Sequence, residues 1–81
     1  MILNFLKKKK IKDDLLKIIA DSVDLEKKNI SSVHELQKAD LDSVELMTVV
    51  QKMENRWGTF NLIQLYKATT FDDLIEIIAQ K

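Results

Sequence analysis

Ser43 is the residue whose neighbours could give it chemistry. Asp42 precedes it, Val44 follows it, and Asp40 and Glu45 lie close on either side. A hydroxyl at the end of a loop and the start of a helix is open to another enzyme. A phosphate placed on it would meet free backbone N–H groups and the positive end of the helix dipole. Ser43 has no means to act alone. The chain holds one histidine, His34, and no cysteine, so no general base is at hand and neither a serine triad nor a His or thiolate metal cluster can be assembled. The bland reading of such a serine is a helix cap. Asp40, Asp42 and Glu45 would in turn attract a basic partner and speed its encounter.

The remaining composition narrows the classes further. With 81 residues, no Pro and one Gly, Gly58, there is no material for a Gly-rich phosphate loop or a tight hairpin. A chain of this size forms one domain, 1–81, which buries only about 60% of its unfolded surface. The expectation is a non-catalytic protein. Net charge is zero but unevenly spread: residues 1–12 hold five Lys and no acid, while residues 13–54 hold ten acids against five bases. The opening Met1, Ile2, Leu3, Phe5 and Leu6 are apolar and are followed by Lys7–Lys10. That order is the reverse of a secretory leader, and the run is too short to cross a bilayer. A soluble, cytoplasmic protein with no stable membrane insertion is expected. The lysine run reads as a solvated face, with a membrane-surface or nucleic-acid contact as the other reading. A nucleic-acid binder would spread its basic residues over a whole face, so no nucleic-acid partner is expected.

The elements that position Ser43 follow from helical periodicity. Residues 1–10 form an apolar and basic N-terminal extension leading into a first helix from roughly Leu6 to Ser22, with Ile11, Leu15, Ile18 and Ile19 on one face. A loop from about Val23 to Leu41 follows, and its spaced Val23, Leu25, Ile30, Val33 and Leu36 suit a segment packed along the core. Asp42 is the N-cap of a second helix over 43–57, Glu45 completes a capping box, and Gly58 ends it. Leu46, Val49, Val50, Met53 and Trp57 form its buried stripe. At about 100° per residue, Val44 and Met47 fall roughly 100–160° from that stripe, beside Gln51. They would form a small apolar docking patch beside Ser43, although single exposed apolar residues are common. A short helical piece over 61–67 and a last helix over 71–80, capped by Thr70, complete an all-α, three-to-four-helix bundle. Tyr66 is expected in the core, with the edge of the bundle opening as its other position, and His34 is expected to be a loop side chain without a role.

Leu36-Gln37-Lys38-Ala39-Asp40-Leu41-Asp42-Ser43-Val44 resembles the Leu-x-x-Leu-Gly-x-Asp-Ser-Leu signature of the acyl carrier proteins. Lys17-Ile18-Ile19-Ala20 resembles part of that family's first helix. Trp57-Gly58 stands at the distance of its Phe-Gly, and Thr69-Thr70-Phe71-Asp72-Asp73-Leu74 is similar to the opening of its last helix. The likeness covers about residues 10–80. It implies an acyl-carrier-like bundle with a long first loop and a short third helix. It also implies that Ser43 takes a covalent 4′-phosphopantetheine arm from coenzyme A through a phosphopantetheinyl transferase. Acyl groups would then ride on the arm's thiol as thioesters to synthases, transferases and reductases of fatty-acid or polyketide-like biosynthesis. Asp40, Asp42, Val44, Glu45, Met47 and Gln51 would face those enzymes, in transient contact with a monomer.

Ala39 and Asp40 stand where the family has Leu and Gly, Val44 replaces Leu, and Lys52, Arg56 and Lys67 dilute its acidic face. These departures point to a specialised rather than a housekeeping carrier. A carrier of amino acids of the D-alanyl type, and a helical adaptor with Ser43 unmodified, stay open beside it.

Overall fold

The second helix forms where its caps say it should. In the computed structural model, which describes residues 2–81, α2 runs Ser43–Trp57 between an extended N-cap, Asp42, and Gly58 at φ 93. That positive φ is open to Gly at little cost and ends the helix. Val49, Val50 and Met53 are buried and Leu46 and Trp57 pack beside them, so the stripe read from the sequence is the core face.

The first helix is longer than its periodicity predicts. α1 spans Ile2–Ser22 and takes in most of the stretch read as an extension; Met1 of the apolar run lies outside the described residues. The apolar stripe starts only at Ile11, but Leu and Lys are good helix formers and neither Pro nor Gly interrupts them. Periodicity marks the buried part of a helix, whereas propensity carries it further. Ile11, Leu15 and Ile19 are buried on α1, and Val23 continues the same face just beyond its end.

The segment between α1 and α2 is more ordered than a loop. Asp24 Oδ1 accepts the Lys27 N–H at 3.2 Å, and Asn29 takes a left-handed φ of 57. Two 3₁₀ turns follow, Val33–Glu35 and Lys38–Asp40. Val23 and Leu36 are buried, while Leu25, Ile30 and Val33 pack at the margin, as expected of a segment lying along the core. α3, Leu62–Lys67, is capped by Asn61, whose side chain accepts the Gln64 N–H at 3.1 Å. α4, Phe71–Ala79, is capped by Thr70 and closes one residue short of the expected end.

Four α-helices and no strand are present among the described residues, an all-helical bundle. α1 packs against both α2 and α4. Arg56 near the end of α2 pairs with Asp14 at 2.6 Å, and Lys7 donates to the Ala79 carbonyl at the end of α4 at 2.8 Å. Lys28, just past the end of α1, pairs with Glu45 in the first turn of α2, and Lys12 and Leu15 share a cleft with Thr70 and Phe71 at the start of α4, so both helices run antiparallel to α1 and the start of α2 lies toward its C-terminal end. No helix among the described residues is long and apolar enough to cross a membrane.

Candidate functional site

The start of α2 is closed by a reciprocal pair. Asp42 Oδ1 accepts the Glu45 N–H at 2.8 Å, and Glu45 Oε1 accepts the Asp42 N–H at 3.0 Å. The capping task thus belongs to Asp42, and Ser43 stands exposed at the first helical position. The same helix start places the positive end of the α2 dipole behind the Ser43 hydroxyl.

Asp40, Asp42 and Glu45 do come together, but not as a bare acidic collar. Asp40 Oδ2 accepts the Gln37 N–H at 2.8 Å and so closes the second 3₁₀ turn. Lys28 reaches in from the loop, bonding Glu45 Oε1 at 2.7 Å and the Asp40 carbonyl at 2.8 Å. The hydrogen bond to Glu45, helped by the charges of Asp42 and Asp40, raises the Lys28 ammonium above its ordinary pKa. Each carboxylate is therefore engaged in local structure, and one ammonium offsets part of their charge. The cluster still presents Asp40 and Asp42 to solvent.

Val44 is 72% and Met47 60% exposed, as their wheel positions require, and Gln51 is exposed beside them. They form one wall of an open groove of about 390 Å³ whose other wall is α3 through Leu62 and Tyr66. Tyr66 is thus exposed at the groove rather than in the core. In a six-residue helix only one side chain, Leu65, is fully buried, and its neighbours remain at the surface.

Lys38 ties this arrangement together. Its ammonium donates to the carbonyl of Tyr66 at 3.3 Å and to that of Ala68, at the C-terminal end of α3 where cations are favoured. The turn leading into Ser43 is thereby bound to the helix forming the far wall of the groove.

Lys28, Lys38 and Leu62 are the participants that sequence reasoning missed, while Tyr66 takes the edge position that was its second reading. The two lysines lie in an aperiodic segment that also holds Lys27, where nothing marks a partner. Six residues of α3 are too few for periodicity to tell its exposed side. His34 is exposed in the first 3₁₀ turn and joins none of this. Comparison of the chain with protein-family models, with curated proteins and with solved structures returns no match.

Proposed function

We propose that this chain is an acyl carrier that works through a 4′-phosphopantetheine arm on Ser43. The observation that carries the reading is the division of tasks at the start of α2. Asp42 caps the helix, which leaves the neighbouring hydroxyl exposed at the positive helix end, in line with the exposed Val44 and Met47. These residues fit the group. The Ser43 oxygen is open for attachment, and a phosphodiester there gains from the α2 dipole. Asp42 and Glu45 hold the helix start rigid, and Lys28 holds the loop against it. When bound, the arm supplies the thiol that the cysteine-free chain lacks and holds an acyl group as a thioester.

The chain's own part is to present Ser43 and to be recognised. The groove of Val44, Met47, Leu62 and Tyr66 offers a partner a small apolar contact, with Asp40 and Asp42 beside it. Contacts of this kind favour quick encounter and quick release over tight binding. Partners would be a phosphopantetheinyl transferase and, in turn, the cytoplasmic synthases, transferases or reductases of a fatty-acid or polyketide-like route. Lys28, Lys52, Arg56 and Lys67 and the zero net charge fit a specialised partner set.

The test is intact mass after incubation with coenzyme A, magnesium and a broad-specificity phosphopantetheinyl transferase. Wild type is expected to gain one phosphopantetheine and Ser43→Ala none. Absence of a gain beside a control carrier that is modified would reject the reading in favour of an unmodified helical adaptor. Loading the modified protein with acyl or aminoacyl donors then separates an acyl carrier from the D-alanyl type.

A further inference from the structure

Residues 3–10 belong to α1 but not to the core: none of them is buried, and Ile11 is the first after them that is. Leu3 is 82%, Phe5 68% and Leu6 54% exposed, three large apolar side chains within two turns. Apolar residues grouped this closely at the surface mark a contact site more often than scattered ones do.

Their order along the axis is informative. Leu3 and Leu6 share one side of the helix, about 60° apart, while Phe5 stands about 100–160° from them, so together they cover much of the helix end rather than one narrow stripe. Lys7, Lys8, Lys9 and Lys10 then surround the next turn, and Lys12 follows. At about 1.5 Å per residue the lysine turn sits roughly 5–8 Å along the axis from the apolar one. An offset of that size leaves the lysine turn level with the headgroups when the apolar end has entered the interface. Lysine stems are long enough to keep their ammonium groups at the headgroups while apolar neighbours go deeper. Lys7 and Lys8 are engaged with the Ala79 carbonyl and with Glu76, whereas Lys9, Lys10 and Lys12 make no ion pair among the described residues.

We propose that this end of α1 docks reversibly on an anionic phospholipid surface, with Leu3, Phe5 and Leu6 entering the interface and Lys9, Lys10 and Lys12 facing lipid phosphates. The charge of the segment selects this occupant. Residues 1–12 carry five Lys and no acid, which complements an anionic leaflet. A nucleic acid would use the same lysines but leave the apolar side chains in water. The helix cannot cross the bilayer, so the contact is interfacial. It is also compatible with an accessible Ser43. Because α2 runs antiparallel to α1, and its 15 residues extend about 22 Å, Ser43 lies toward the far end of the bundle from the docked tip.

The full chain is sedimented with phosphatidylcholine vesicles, with and without phosphatidylglycerol, at low and high salt. Binding is expected with the anionic vesicles alone and should weaken as salt rises. Each of Lys9→Gln and Lys10→Gln should lower the partition coefficient about fivefold, and Leu3→Ala with Phe5→Ala by at least about tenfold. Far-ultraviolet circular dichroism should be unchanged in these variants, since every substituted side chain is exposed. Absence of binding to anionic vesicles at low salt overturns the proposal. So does binding that survives removal of the apolar side chains, which would reduce the contact to electrostatics. Retardation of a DNA probe by wild type, abolished by the lysine variants and accompanied by no vesicle binding, would reassign the segment to nucleic acid.

Discussion

One oxygen of Asp73, Oδ2, receives the Thr69 N–H at 3.0 Å, the Thr69 hydroxyl at 3.0 Å and the Thr70 N–H at 3.2 Å. These bonds favour the ionised form, the Thr69 backbone bond most, and hold the carboxyl below its ordinary value of 3.8. A depressed carboxylate stabilises the fold above its unfolded pKa, and that contribution disappears as pH falls through the native value. Wild type should therefore exceed Asp73→Asn in urea midpoint at neutral pH, with the gap closing below about pH 4. A gap independent of pH would contradict the assignment. Asp42 and Thr70 were both legible as caps, because a cap depends on residues three positions apart. The bond from Lys28 to Glu45 was not, because it joins residues 17 apart through an aperiodic segment.

Among the elements, α2 carries both the core and the proposed contact surface, and its two methionines separate them. Met53 is fully buried and Met47 lies on the groove. Met47→Glu is expected to alter thermal stability by no more than about 0.5 kcal/mol and to slow transfer to a partner enzyme. Met53→Glu buries an unpaired carboxylate at a cost of several kcal/mol and should abolish the cooperative melt. Loss of folding in Met47→Glu would refute the placement of this face. Helical periodicity separated these two sides before any coordinates, since 15 residues sample the wheel several times. It failed for α3, where Tyr66 was expected inside and stands at the groove, and for the start of α1, where helix continues with no buried stripe.

At the scale of the molecule, one helix organises the rest. The chain extends 38 Å in its longest direction, close to the ~31 Å of a 21-residue helix plus side chains. α1 meets α2 on one side and α4 on another, and Leu15, 1% exposed, lies on its buried face between Ile11 and Ile19. Leu15→Ala should cost about 2–5 kcal/mol, a large part of the stability of so small a domain. A fall in melting temperature of at least about 10 °C is the expected reading by circular dichroism. A smaller fall would mean that α2 and α4 hold together without α1. The zero net charge also resolves spatially, into a basic tip at the start of α1 and a partly neutralised acidic group at the start of α2.

The sequence by itself determined the helices with a long buried stripe, their caps, the stop at Gly58, and the exposure of Val44 and Met47. All of these depend on residues within one or two turns of each other, where fixed helical geometry leaves little choice. Only the tertiary structure decided that Lys28 and Lys38 brace the approach to Ser43, that α3 supplies the second wall of the groove, and that the lysine-rich end of α1 stands clear of the core. Those outcomes depend on where separate segments meet, and side chains far apart in the chain acquire a common environment only when the bundle closes.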